Sequence, residues 1–140
     1  MVGSHLVDFL LAETDWDVVG LARWRSPLEN IEHHLDRINR GDRVRLVYGD
    51  LRDYVSIARA VDDTRPDYVF HLAAQSYPQT SFSAPLDTLE TNIQGTAHVL
   101  EAIRHCDGLD PVVHVCASSE VFVRVPKVLF PIGEETTSHP

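Results

Sequence analysis

The sequence predicts an α/β fold in which a doubly wound parallel sheet carries helices on both faces. Two observations carry that expectation. Runs rich in Val, Leu, Tyr and Phe alternate with stretches whose apolar residues recur at helical spacing. The runs also end in small or polar residues, at the carboxyl ends where such sheets hold their ligands.

Val2, Leu6, Val7, Leu10 and Leu11 recur at helical spacing, so the chain is expected to open on a helix. Residues 17–24, DVVGLARW, read as a buried strand, and residues 26–38 as a polar helix or loop excursion. A second strand is expected over residues 43–50, RVRLVYGD, with Asp53 capping a helix that runs through Val61. Residues 67–74, DYVFHLAA, give a third strand. One long helix is expected over residues 83–105, with Leu86, Leu89, Ile93, Thr96, Val99, Leu100 and Ile103 on a single stripe and Gly95 allowing close packing. The fourth strand is VVHVCAS, residues 112–118, and residues 123–140 read as an irregular tail.

The 140 residues are one domain's length, with 44% hydrophobic and 24% charged residues. A formal net charge of −9 offers no basic footprint for nucleic acid or an anionic membrane. No apolar stretch approaches the roughly 18 residues of a membrane span, and no signal-peptide pattern stands at the start. Cys106 and Cys116 are too few for a disulfide framework and lack metal-ligand spacing, so two buried, reduced thiols in a cytoplasmic protein are expected. His33 and His34 are adjacent rather than four apart, which favours a solvated helix over a metal site. His71 and His114 read as core or strand-edge residues, and no metal is expected.

Several strand exits carry candidate ligand residues. Gly3 suits the last glycine of a dinucleotide-binding turn, although the strand and the two glycines that complete such a motif are not in the sequence. Arg23 stands twenty residues later, near where an NAD site would carry an acid for the ribose hydroxyls. An arginine there, with Arg25 and Ser26 beside it, favours the 2′-phosphate of NADP; exposed arginines at a strand exit are the competing reading. Asp50 either accepts from an adenine amino group, with Leu51 over the ring, or caps a turn. Ala73 and Ala74 allow backbone to approach a cofactor or simply pack tightly, and Gln75 and Ser76 follow them. Ser118, Ser119 and Glu120 either finish a strand and cap a turn or bring two hydroxyls and a carboxylate to a site.

Taken in order, G-S-H-L, the Arg23 exit, Y-G-D-L-x-D, H-L-A-A-Q-S, S-F-x-x-P, T-N-I-x-G-T and S-S-E-V-F resemble the extended short-chain dehydrogenase/reductase family. More narrowly, they resemble its nucleotide-sugar 4,6-dehydratases that act on GDP-mannose. The resemblance spans residues 1–140. It implies a Rossmann-type fold that lacks its first strand: a partial NADP-binding domain over 1–140, with the substrate domain absent. By the same resemblance Arg23, Arg25 and Ser26 surround the 2′-phosphate, Asp50 and Leu51 meet the adenine, and Leu72, Ala73, Ala74, Gln75 and Ser76 line the cofactor. Ser118 matches the catalytic Thr or Ser, and Glu120 the acid used for dehydration.

The match departs at Phe122–Val123, where a Tyr-Gly pair is common, and at Asp87, where a cofactor-contacting tyrosine can occur. No Tyr-x-x-x-Lys follows Glu120 in the sequence. The complete parent is expected to be a homo-oligomer, and the 140 residues alone to be inactive and poorly folded. The competing functions are an NAD(P)-dependent nucleotide-sugar epimerase or ketosugar reductase, and a non-catalytic truncated binding or assembly domain.

Overall fold

The computed structural model of the chain describes residues 2–122, 126 and 130–136, with Ser119 and Glu120 described in backbone only. Helix α1 (Val2–Glu13) leads to strand β1 (Val18–Ala22). A 3-10 segment (Glu29–His34) runs into α2 (Leu35–Arg40), then β2 (Val44–Tyr48), α3 (Tyr54–Thr64) and β3 (Tyr68–His71). After them come α4 (Pro78–Ser83), α5 (Pro85–Leu89), a π-helical turn (Glu90–Gln94) and α6 (Gly95–His105). Strand β4 (Val112–Val115) and a 3-10 turn (Ser119–Phe122) complete the described elements.

Alternation and parallel pairing are as expected, but the strands are shorter at their carboxyl ends. Strand β1 pairs in parallel with β2, from Val18 opposite Val44 to Ala22 opposite Tyr48. Strand β3 pairs in parallel with β4, from Tyr68 opposite Val112 to His71 opposite Val115. Among the described residues the two pairs share no ladder. A cavity of about 1730 Å³, lined by all of β1 and all of β3, separates them. A doubly wound sheet without its first strand is interrupted at this position. At the amino ends of the strands the pairs are bridged by Trp16 stacked on Tyr68, ring centroids 4.5 Å apart.

The core lies between α3 and α6, where Leu51, Ile57, Val61, Val99 and Ala102 are buried together. Strand residues Leu21, Phe70, Val112 and Val115 stay exposed, because the layers that bury both faces of such a sheet are incomplete around them. Local chemistry sets the helix ends. Asp53 caps α3 by accepting the Val55 N–H at 3.1 Å, as expected, and the helix runs on to Thr64. Arg43 donates to the carbonyl of Leu11 in the last turn of α1 and to those of Thr14 and Trp16 just beyond it, satisfying acceptors at the helix end.

The long helix expected over residues 83–105 runs unbroken from Pro85 to His105, with a π turn at Glu90–Gln94, and a separate short helix opens at Pro78. Three expectations need correction. The single apolar stripe of the long helix is divided. Val99 and Ala102 face the core, whereas Leu86, Leu89, Ile93 and Leu100 are exposed on another side. Cys116 is exposed rather than buried. His33 and His34 do not lie on a solvated helix: both reach Asp8 of α1, and His34 is buried. His71 is buried as expected, and His114 sits exposed in β4.

No helix among the described residues is long and apolar enough to cross a membrane.

Candidate cofactor and active site

The exits of β1 and β2 lie side by side, since Ala22 is opposite Tyr48 and the Gly49 N–H donates to the Ala22 carbonyl at 3.1 Å. A shallow cavity of about 520 Å³ opens there, lined by Arg23, Arg25, Ser26, Tyr48, Asp50 and Arg52 among others. Gly49 keeps the floor tight: a Cβ at this position would sit 3.1 Å from Leu21 Cδ1 and 3.3 Å from Ser56 Oγ. Trp24 packs edge-on against Tyr48 at 5.1 Å. Arg25 holds a left-handed backbone, φ 63°, which is uncommon for a side-chain-bearing residue. Neither Arg23 nor Arg25 forms an ion pair within 4.0 Å of a carboxylate among the described residues, although the Arg23 charge helps hold the Asp50 carboxyl down, and both arginines line the cavity where an anion could reach them.

Asp50 has a partner that the sequence reading missed. Arg52 grips it in a fork, Nε to Oδ1 at 3.1 Å and Nη2 to Oδ2 at 3.0 Å, and the Arg52 N–H adds a third bond to Oδ1 at 3.0 Å. These bonds hold the Asp50 carboxyl below the usual carboxylate range. Oδ2 retains acceptor capacity for a further donor. Arg52 also donates to Asp87 at 3.1 Å, so the departure at Asp87 ties α5 to the exit of β2. Leu51 differs from expectation. Its side chain is buried in the α3–α6 core and its carbonyl accepts from His98 Nδ1 at 2.6 Å, so the ring-covering role shrinks to the margin it shows the larger cavity.

The exit of β3 is held by the T-N-I-x-G-T segment. Asn92 bonds the Gln75 backbone at both its N–H and its carbonyl. Thr96 donates to the Asn92 carbonyl at 2.7 Å, so the 3.0 Å contact between His71 Nε2 and Thr96 Oγ1 must have histidine as donor. Burial pushes the His71 pKa down, in keeping with a neutral ring. Arg52, Asn92, Thr96 and His98 are the site-building residues that motif reading left without a role.

Gly3, Arg23, Ser26, Asp50, Leu51, Leu72, Ala73, Ala74, Gln75 and Ser76 all line the cavity between β1 and β3, and Arg25 lines the adjoining shallow one. The sequence-predicted cofactor residues therefore converge. Gly3 does so without close packing, since a Cβ there would meet only Leu72 Cδ1 at 4.0 Å. Ser118 lies beyond β4, exposed, its carbonyl accepting from the Val121 N–H at 3.3 Å to start the 3-10 turn. Cys116 donates its N–H to the His71 carbonyl at 3.1 Å, so the segments carrying Ser118 and residues 72–76 leave the same end of one strand pair. Ser118 is not among the residues lining either cavity. The Glu120 side chain lies outside the described residues.

The family model described as GDP-mannose 4,6 dehydratase matches residues 1–140. The chain belongs to that family. It is 34% identical over 144 residues to the GDP-mannose 4,6 dehydratase of Drosophila melanogaster, covering 99% of this chain and 35% of that protein. Against GDP-mannose 4,6 dehydratase 1 of Arabidopsis thaliana it is 36% identical over 145 residues, covering 99% and 39%. The chain thus spans well under half the length of these relatives. Among solved structures it resembles a Thermus thermophilus UDP-glucose 4-epimerase complexed with NAD, with 28% identity and a TM-score of 0.76 over 100% of this chain and 42% of that one. A TM-score of 0.81 to Pal from Bacillus thuringiensis, at 23% identity over 100% of this chain and 42% of that one, supports the Rossmann-type fold.

Proposed function

We propose that this chain is the cofactor-binding part of a larger NADP-dependent 4,6-dehydratase that converts GDP-mannose to GDP-4-keto-6-deoxymannose. The observation that carries the reading is the convergence of residues from three strand exits on adjoining cavities, within a chain of this family. Two guanidinium groups without a carboxylate partner suit a 2′-phosphate, and the remaining acceptor capacity of Asp50 suits an adenine amino group. Arg23, Arg25 and Ser26 would hold the phosphate, and the tethered backbone of Leu72 to Ser76 would line the rest of the dinucleotide. Held there, the dinucleotide would supply reversible hydride transfer between sugar carbons 4 and 6.

As the carbon 4 hydroxyl gives up its hydride, its proton would pass to a base of the Tyr-x-x-x-Lys type that the family resemblance implies in the full-length protein, and a proton would return to carbon 5 when the hydride reaches carbon 6. Ser118 and Glu120 serve the other steps. Ser118 hydrogen-bonds the oxygen on carbon 4, orienting it and stabilising the charge that changes there. The ketone at carbon 4 acidifies the carbon 5 hydrogen; Glu120 removes that proton and returns one to the hydroxyl that leaves carbon 6 as water. Both roles rest on the match of S-S-E to the family pattern.

An epimerase is the second reading, because a neighbour of similar fold is a UDP-glucose 4-epimerase. Incubating the full-length protein with GDP-mannose separates the two. A 4-keto-6-deoxy product supports dehydration, whereas an unchanged sugar mass with inverted configuration supports epimerisation. The exposed residues Leu86, Leu89, Ile93 and Leu100 fit a homo-oligomer built through these helices, and sedimentation of the full-length protein tests it. A cytoplasmic setting accords with the proposed substrate.

A further inference from the structure

Away from the cavities at the strand exits, the first helix and the 3-10 segment bring together donors that lie far apart in sequence. Asp8 stands on α1, and its Oδ1 lies 2.8 Å from His33 Nε2 and 2.7 Å from His34 Nε2. One donor atom from each of Asp8, His33 and His34 lies within 4.8 Å of the others. His5, one turn before Asp8 on the same helix, places Nδ1 3.6 Å from Asp8 Oδ2. The His34 side chain is 9% exposed, so one donor is held inside the fold while His33 and His5 face solvent. A 3-10 helix has about three residues per turn, which would normally send adjacent side chains some 120° apart. Here the two rings instead tilt together, with centroids 4.0 Å apart, and aim the same ring nitrogen at one point.

We propose that Asp8, His33 and His34, with His5 as a fourth donor, form a binding site for a divalent zinc-class cation that staples α1 to the segment following β1. Two imidazole nitrogens and a carboxylate oxygen, with a third imidazole one helical turn away, are the donors that zinc takes in a four-coordinate site. Mixed nitrogen and oxygen donors also favour zinc, cobalt or nickel over magnesium or calcium. Tetrahedral coordination at zinc–nitrogen lengths of about 2.0–2.1 Å spaces donors by roughly 3.3 Å, so to seat the ion the two histidine-to-carboxylate contacts would open by about half an ångström while the rings adjust around it. The staple has a consequence for the larger cavity. Gly3 and Ser4 on α1 and Ile31 and His34 on the 3-10 segment line it, so the ion would lock two of its walls together.

The competing role for the cluster is a pair of histidine-to-carboxylate hydrogen bonds with no ion. The test uses the full-length protein stripped of metal, titrated with Zn²⁺ by calorimetry and with Co²⁺ by visible absorption. One equivalent of tight binding and intense visible bands of a four-coordinate cobalt are expected. His33→Ala, at an exposed position, and Asp8→Asn, which keeps a hydrogen-bond acceptor, should each weaken Zn²⁺ by more than about tenfold, as even outer partners of zinc ligands do. Zn²⁺ should raise the melting temperature of the unaltered protein and not that of Asp8→Asn. His105→Ala, on α6 and outside the cluster, should bind as before. Absence of a stoichiometric site, or Zn²⁺ binding equal in the unaltered protein, His33→Ala and Asp8→Asn, overturns the proposal. Because these readouts are binding and melting, they stand or fall separately from sugar turnover.

Discussion

Asn92 grips the Gln75 backbone on both sides: its Oδ1 accepts the Gln75 N–H at 2.7 Å and its Nδ2 donates to the Gln75 carbonyl at 2.9 Å. Both backbone groups belong to a segment just past a strand end, where no ladder partner is available. One side chain on the π-helical turn therefore does what a neighbouring strand would do. Asn92→Ala should lower stability by about 1–3 kcal/mol, because two part-buried backbone groups lose their partners. Asn92→Asp should fare no better, since its second oxygen would face the Gln75 carbonyl. Urea midpoints of the full-length variants check both, and NADP affinity should fall alongside.

Gly95 lets α6 settle onto the loop after β2. A Cβ there would stand 2.8 Å from Leu51 Cβ, which is fixed to the backbone and has no freedom to swing aside. Gly95→Ala should therefore destabilise the protein by about 1–3 kcal/mol despite the better helix propensity of alanine. Combining it with Leu51→Gly, which removes the opposing Cβ, should cost less than the sum of the single changes, and a double-mutant cycle measures the difference. Strict additivity would show that the two residues do not meet.

Stability should fall on mild acidification through His71. Burial lowers its folded pKa below the ordinary 6.5, so the unfolded chain binds a proton that the folded one resists. The contribution is fully present above 6.5 and is lost as pH falls toward the folded value. His71→Gln, which keeps an N–H for Thr96, should flatten the slope of stability against pH just below 6.5. Denaturant melts at a series of pH values read it directly.

Arg23→Ala in the full-length protein should weaken NADP more than NAD, by about 1–3 kcal/mol if one charge-assisted bond to the 2′-phosphate is lost. Titrating both dinucleotides gives the comparison. Equal weakening of both would remove the 2′-phosphate role from Arg23.

Glu120→Gln should suppress formation of the 4-keto-6-deoxy product far more than it weakens nucleotide-sugar binding. Exchange of the carbon 5 hydrogen with deuterium from solvent should slow with it, and unaltered exchange would reject Glu120 as the base.

The order of elements was legible because alternating apolar runs and helical stripes are local properties of sequence. Strand ends were not. DYVFHLAA continues in apolar residues past His71, yet the ladder stops there: the Leu72 N–H turns back to the Phe70 carbonyl, and the Gln75 backbone answers to Asn92 and not to a strand. The stripe of the long helix was misjudged for a similar reason. Its apolar positions repeat evenly, but only those facing Leu51 and α3 are covered. The candidate cofactor residues other than Gly3 could be gathered from motifs since each follows a strand, and parallel strands deliver their ends to one side. The Arg52 link to Asp87 and the Asp8 cluster escaped notice because each depends on how elements far apart in sequence come to meet, whereas the Arg52 fork on Asp50 is local and was legible in D-L-R.

The gap between β1 and β3 also governs how this chain behaves by itself. Both facing edges present backbone donors and acceptors without ladder partners among the described residues, flanked by exposed Leu21, Tyr68 and Phe70. Such edges are adhesive templates for any extended peptide. Recombinant production of these residues in isolation will therefore tend toward insoluble deposits, and a short apolar peptide able to enter as a middle strand should act as a solubilising graft.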